Sequence, residues 1–340
     1  MRVSVHGIVC GALLLPIAAF AWGHPPAPLT YQSQHPFSLQ FAQLKPMPVV
    51  ADAPGDGRWA MTTQYSNIFE QFVTPTENVQ IDLEQWQTEM EIAYGLGHQF
   101  TLEGTLPITT TWGGFLDGFL QWYHHLFGFP NGGRESVANN TYAVHMIDRT
   151  TGATRYAVAA HGPVFGDLSL RLRHALAPET PTRPGIGWFA TVQLPTGSRK
   201  KGTGNNRLDY GLGLLLEKTG RRWYGFLNVG YFINGGQANL EPFLHNETFA
   251  YALGGAYRLS RSVALQAQVH GGTPQLSGIA DRQWEDPPLD LVFGVTGYHP
   301  AALGEEDFFW EVGFSEDLHP NGPSIDFTAI LRAGIAWRGL

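Results

Sequence analysis

The sequence predicts an all-β transmembrane antiparallel barrel of about twelve strands, with one helical insertion in an outer loop. Three observations carry that expectation. From Gly57 to the end, apolar residues alternate with small or polar ones in successive segments, the period of a strand with two unlike faces. The composition holds 13% aromatic residues, 41 glycines and only 15% charged residues, which suits a wall with aromatic girdles outside and small residues inside. The chain also opens with an export signal, and no later run has the eighteen or so apolar residues that a membrane helix needs.

The signal is Arg2, an apolar run from Gly7 to Ala21 interrupted by Pro16, and Ala19-Phe20-Ala21 ahead of Trp22. Residues 1–21 therefore read as a signal peptide. The single cysteine, Cys10, lies within it, so the mature chain is expected to contain no disulfide, thiolate metal site or cysteine nucleophile. Residues 22–56 carry Pro25, Pro26, Pro28, Pro36, Pro46, Pro48 and Pro54, which block regular ladders, and read as an extended periplasmic lead-in. Residues 57–340 then form the barrel. The net charge of -8 speaks against nucleic acid as a partner.

Trp59, Met61, Thr63 and Tyr65 mark the first strand. In the second, Val79, Ile81 and Leu83 share a face, and Trp86, Thr88, Met90, Ile92 and Tyr94 continue it only after a slip at Glu84-Gln85, the signature of a β-bulge. Phe100, Leu102, Leu106 and Ile108 face out in the third, against Thr101, Glu103 and Thr105. Regular strands resume at Gly166 with Leu168, Leu170 and Leu172, then Ile186 to Leu194, Leu208 to Leu216 and Trp223 to Ile233. Phe249 to Leu259, Val263 to Val269, Leu289 to Val295 and Phe308 to Phe314 follow. The last strand, Phe327 to Trp337, closes on an aromatic residue, as strands read by the barrel-insertion machinery do. A hairpin from Thr141 to Ala160 counts as an excursion; including it would give about fourteen strands. An even count puts both ends on the periplasmic side, with short turns there and the longer connections, 70–78 and 113–165 among them, outside.

The insertion at 113–165 contains the clearest amphipathic helix. At 100° per residue, Phe115, Leu116, Phe119, Leu120, Trp122, Tyr123, Leu126 and Phe127 fall in one arc, and Asp117, Gln121, His124 and His125 in the other. Its aromatic face calls for lipid, as an interfacial anchor, or for the barrel mouth, as a gate. Gly113-Gly114-Phe115-Leu116-Asp117-Gly118-Phe119 and Phe127-Gly128-Phe129-Pro130-Asn131-Gly132-Gly133-Arg134, with Gly166-Asp167-Leu168, Leu194-Pro195-Thr196-Gly197 and Ser315-Glu316-Asp317-Leu318, resemble the domain-of-unknown-function 3187 family over essentially the whole mature chain. The resemblance implies an exported protein of the outer membrane and assigns it no activity.

Asp82, Glu84, Glu89, Glu91 and Glu103 on adjacent strands, with Arg171, Arg173, Arg258 and Arg332 elsewhere, occupy the faces opposite the apolar ones. They form either a charged pore lining or ion pairs across a filled lumen. Adjacent His124 and His125 diverge on a helix and lack ligands one turn away, so no metal is expected, and no cofactor motif is present. Gly197-Ser198-Arg199-Lys200-Lys201-Gly202 lacks the Lys-Ser/Thr pair of a phosphate loop and reads as a basic outer loop touching lipopolysaccharide. His161, His245, His270, Ser277 and Ser315 are scattered, without a nucleophile motif. The leading expectation is a passive channel or uptake route for a small solute in outer-membrane lipid. The alternatives are an embedded hydrolase acting on lipid or envelope substrate, and a structural or assembly barrel with a closed lumen.

Overall fold

A computed structural model describes residues 27–340, apart from 129–130, 238–239, 280–281, 304–305, 319–324, 326 and 340. The expected leader, 1–21, lies outside the described residues. The strands in chain order are β1 (Gly57–Val73), β2 (Glu77–Gly97), β3 (Phe100–Trp112), β4 (Ala143–Asp148), β5 (Thr154–Ala157), β6 (His161–Phe165), β7 (Leu168–Ala177) and β8 (Gly185–Leu194). They continue as β9 (Asp209–Thr219), β10 (Trp223–Ile233), β11 (Glu247–Arg258), β12 (Val263–Gly272), β13 (Leu289–Leu303), β14 (Glu306–Asp317) and β15 (Phe327–Trp337). The helices are α1 (Asp117–Phe127) and the single turn α2 (Arg282–Glu285).

Twelve of these strands, β1 to β3 and β7 to β15, pair antiparallel in a ring. The ring closes where β1 meets β15 in continuous register from Gly57↔Trp337 to Asn67↔Phe327. Across that seam the Ser66 and Thr328 hydroxyls lie 2.7 Å apart. The β4–β5 hairpin is an excursion, as its sequence suggests: β4 pairs only with residues 77–82 of β2 on the barrel side. Strand alternation sets the two faces. Leu212, Leu214, Leu253, Leu265 and Leu331 point outward and are exposed. Exposed aromatics flank them, with Trp59, Tyr94, Trp223 and Tyr257 at the end holding both strand termini, and Trp86, Tyr210, Tyr231 and Phe249 at the opposite, loop-bearing end.

Two local expectations are corrected. β1 and β2 pair without interruption from Gly57↔Tyr94 to Val73↔Asn78, so no bulge interrupts β2 at Glu84-Gln85. The apolar residues change face because β1 and β2 run past the rim of the wall. β15 leaves β1 at Asn67, and β3 leaves β2 at Glu84. Below that level the outward face is apolar; above it Val79, Ile81 and Leu83 point inward to a protein core. The same extension shrinks the expected long loop at 70–78 to residues 74–76.

The second correction concerns the proline-rich lead-in. Residues 27–52 do not trail outside the barrel; they fill its lumen. Leu29 and Tyr31 pack on Val292 and Ile330 as the segment rises. At its tip, Phe37 sits in an apolar cap with Ile68, Phe72, Val144, Tyr156, Leu240, Leu276 and Trp284, drawn from the β1–β2 extension, the hairpin and the loops. The descending limb lays Leu44, Met47 and Val49 on Phe189, Leu215, Tyr224 and small residues of β7 to β12. Proline blocks strand ladders but leaves carbonyls and most amides in need of partners. Wall side chains satisfy them.

Candidate functional site

The lumen is the candidate site, and the internal segment is bound to it along its length. The Leu29 amide donates to Gln268 Oε1 (3.1 Å), and Gln268 Nε2 donates to the Leu29 carbonyl (2.9 Å). Amides of Thr30, Ala42, Met47 and Val49 donate to Glu311, Asp209, Asn228 and Glu217 at 2.7–3.0 Å. Tyr31 donates its hydroxyl to Asp290 (2.9 Å), and Gln85 Nε2 donates to both the carbonyl (3.2 Å) and the side chain (3.0 Å) of Gln34. At the tip, His35 lies 3.2 Å from Glu70, which also accepts the Trp284 indole N–H (2.7 Å).

Toward the end holding the strand termini, the wall carries a buried ion-pair network. Arg58 pairs with Asp52 (2.7 Å), Glu91 (3.0 Å) and Glu103 (2.7 Å). Arg332 pairs with Glu91 (2.9 Å) and Glu311 (3.2 Å), and Arg171 with Glu103 (2.9 Å). Lys45 of the internal segment pairs with Glu89, and Arg173 holds that segment through the Pro48 carbonyl (2.7 Å) and Asp52 (3.4 Å). The groups paired here are five cations and five carboxylates, around a cavity of about 220 Å³ that Arg261 also lines. Charges this buried persist only when paired.

Of the sequence candidates, Glu89, Glu91, Glu103, Arg171, Arg173 and Arg332 meet here. Arg258 is buried on the lumen face of β11 and does not line this cavity. Asp82 and Glu84 are elsewhere. Unbroken pairing gives them the outward parity of Trp86, so they are not part of the lumen. Lys45, Asp52, Arg58 and Glu311 escaped the sequence reading. A usable signal was the run of large apolar residues between the prolines, Leu29, Tyr31, Phe37, Phe41, Leu44, Met47 and Val49, which a solvated linker would not carry.

Asp82 and Glu84 instead fasten the helical insertion to the outside of the wall. Glu84 Oε1 accepts the Phe115 amide (2.7 Å) and the Leu116 amide at the start of α1, and Oε2 accepts the Tyr65 hydroxyl. Asp117 accepts from Asn67 Nδ2 (2.9 Å) and the Asn140 amide (2.7 Å) and pairs with Arg134. Arg134 also donates to Asn67 Oδ1 (2.5 Å), lies over the Phe69 ring and sits 3.9 Å from Asp82, which accepts the Thr141 hydroxyl (2.6 Å). Gly114, Asp117 and Arg134 of the 113–134 motif therefore belong to one latch with Glu84. Gly114 has φ +80°, and a β-carbon there would lie 2.1 Å from Glu84 Cδ. Gly114→Ala is expected to cost ~1–3 kcal/mol in left-handed strain and to release the helix. Faster amide exchange over 115–128, with barrel strands unchanged, would register it; unchanged exchange would show that the latch does not depend on this approach.

The shorter motifs form a second knot at the loop end. The Asp167 carboxylate accepts the Gly197 amide (2.6 Å) and Gln193 Nε2 (3.3 Å), while Thr196 accepts the Leu168 amide (2.8 Å). A β-carbon on Gly204 would fall 2.5 Å from Asp167 Oδ1. Burial pushes the Asp167 carboxyl above its ordinary pKa, against the pull of these donors. His161 is held by the carbonyls of Gly162 and Lys201, and His124 by Asn131. Among the described residues no group of three His, Cys, Asp or Glu could hold a metal.

The family described as "Protein of unknown function (DUF3187)" matches residues 3–337. The chain belongs to this family. No curated protein matches it. Among solved structures it is similar to the COG4313 outer membrane channel from Pseudomonas putida F1, at 15% identity over 87% of this chain and 100% of that one, TM-score 0.53. Looser likenesses include the NanC porin, at 8% identity over 83% of this chain and 99% of that one, TM-score 0.43. The Pseudomonas putida toluene transporter TodX matches at 10% identity over 89% and 91%, TM-score 0.35. The first likeness is one of fold, and it agrees with the closed ring of twelve strands in this DUF3187 chain.

Proposed function

We propose that this protein is an outer-membrane uptake channel for a small solute, closed at rest by its own residues 27–52. The observation that carries the reading is the way this segment is held. It takes no part in the ladder of the ring and is attached to the lumen by side-chain contacts, so it can move without opening the wall. A membrane setting is supported by the two aromatic girdles. Along β2, Tyr94 and Trp86 are eight residues apart, on the order of 20 Å once strand tilt is allowed for, close to the ~25 Å apolar band of such barrels. The fold likeness to an outer membrane channel agrees with it. The final strand, Phe327–Trp337, would serve the insertion machinery, and Arg199, Lys200 and Lys201 would face lipopolysaccharide.

The same filled lumen favours a second reading, a structural barrel that never opens. Uptake separates the two. In liposomes containing Gln34→Cys/Gln85→Cys, small-solute entry is expected when the thiols are free. It should stop when a short bifunctional methanethiosulfonate links them and return with reductant. Entry that is equally absent with the thiols free and linked would favour the structural barrel and overturn the channel reading.

A further inference from the structure

Helix α1 is built inside out for a water-soluble surface. The residues turned toward the barrel are Asp117, Leu120 and His124, all buried. On the opposite side, Phe115, Phe119, Trp122 and Leu126 are 54–65% exposed, and Phe127 at the last turn is 60% exposed. An ordinary surface helix buries its apolar stripe and hydrates its polar one. Here the polar stripe carries the latch, and Phe115, Phe119, Trp122 and Leu126 on the aromatic stripe are exposed. Of the apolar arc read from the sequence, Leu120 alone is buried, while Leu116 and Tyr123 are half-buried at the flank. The helix lies against the outward face of β1 and β2, at Asn67, Asp82 and Glu84, and not across the mouth.

The exposed face adjoins the outer apolar surface of the barrel at Phe115. The Phe115 ring is 5.9 Å from Tyr65, which is 6.0 Å from Trp86 and 5.7 Å from Trp112, all outward residues of the loop-end girdle. From there the patch runs along α1 through Phe119–Trp122 (5.8 Å) and Phe119–Tyr123 (6.3 Å) to Tyr123–Phe127 (5.0 Å). Aromatic side chains at the level of a girdle belong to the boundary between acyl chains and headgroups.

We propose that the aromatic face of α1 is an interfacial lipid-binding surface, seated in the acyl-chain boundary of the outer leaflet and held there by the Glu84–Asp117–Arg134 latch. The proposal rests on the outer-membrane reading above. What covers the face is lipid, because the patch adjoins the lipid-facing wall. The latch fixes depth and orientation: its carboxylates and guanidinium are buried between helix and wall, so the helix cannot roll its aromatic side inward without exposing them unpaired. The DUF3187 motif at 113–134 then encodes a rigid float fixed to one side of the barrel.

The test is a single reporter thiol in a Cys10→Ser background, carrying an environment-sensitive fluorophore, in proteoliposomes. Three sites are compared: Trp122→Cys on the helix face, Leu214→Cys mid-wall and Thr151→Cys at the tip of the hairpin. Quenching by acyl-chain nitroxides at site 122 is expected to approach that at 214 and to exceed that at 151 several-fold, with the reverse order for aqueous iodide. Adding Arg134→Ala should move site 122 toward the aqueous pattern and leave 214 unchanged. Lipid quenching at 214 with aqueous quenching at 122 overturns the anchor alone. Aqueous quenching at both overturns the membrane reading beneath it. A signal at 122 that depends on protein concentration and not on lipid assigns the face to a second copy and overturns the proposal.

Discussion

Deleting residues 27–49 is expected to turn a barrel that is closed at rest into a steadily conducting pore. The ring does not need the segment for its ladder: β1 meets β15, and every ring strand has two ring neighbours without it. What the deletion removes is the filling. Met47 and Val49 leave the wall aromatics Phe189 and Tyr224, and Phe37 leaves its apolar cap. Gln268, Asp209, Asn228 and Glu217 exchange main-chain partners for water, an exchange that costs little once the lumen is wet. Lumenal carboxylates and guanidiniums then line a continuous aqueous path. Planar-bilayer recording should give an ohmic, sustained current where the full chain gives only brief openings. A deleted barrel that keeps its heat-resistant compact migration on gels yet passes no current would mean that the loops holding Leu240, Leu276 and Trp284 close the mouth unaided.

The largest single-residue effect on stability is expected at Glu91. Its two oxygens accept from Arg58 (3.0 Å) and twice from Arg332 (2.9 and 3.0 Å), with almost no solvent contact. Glu91→Ala leaves two guanidiniums sharing Asp52, Glu103 and Glu311, and turns five cations against five carboxylates into five against four. Removing one partner of a buried pair costs ~3–5 kcal/mol, because the remaining charge is neither solvated nor neutralised. Denaturant unfolding in lipid, followed by tryptophan fluorescence, should show that loss. Glu135→Ala, at an exposed site, should leave the unfolding midpoint close to that of the parent. A loss under about 1 kcal/mol at Glu91 would mean that water reaches the network and screens it.

The ring was legible because its cause is local. Alternation along Leu212, Leu214 and Leu216, or Phe327 to Trp337, follows from one side chain in two meeting the outer surface, and the hairpin at 141–160 could be set aside because it falls in the long insertion at 113–165. Alternation misled where the surroundings change along one strand. In β2 the same inward parity meets Glu89 and Glu91 in the lumen and Ile81 and Leu83 in the cap, so a change of environment read as a change of phase. Asp82 and Glu84 were grouped with the lumen for that reason. The helix was legible as an element, but its partner on the wall was not, since Glu84 and Arg134 are 50 residues apart in sequence. The internal segment left the faintest trace. It has no period, because its partners come from strands all round the ring, and proline content alone does not separate a solvated tether from a packed one.

The central claim is that residues 27–52 lie inside the ring in the membrane-embedded protein. The most direct measurement is whether the thiols of Gln34→Cys/Gln85→Cys can be joined by the short bifunctional reagent without denaturant, with Ser66→Cys/Thr328→Cys across the seam as the reference pair. Positions 34 and 85 touch from segment to lumen wall, and 66 and 328 from wall to wall. The account predicts that both pairs link and that reductant reverses both. A seam pair that links while 34 and 85 remain apart and freely titratable would place the segment outside the barrel and contradict the account.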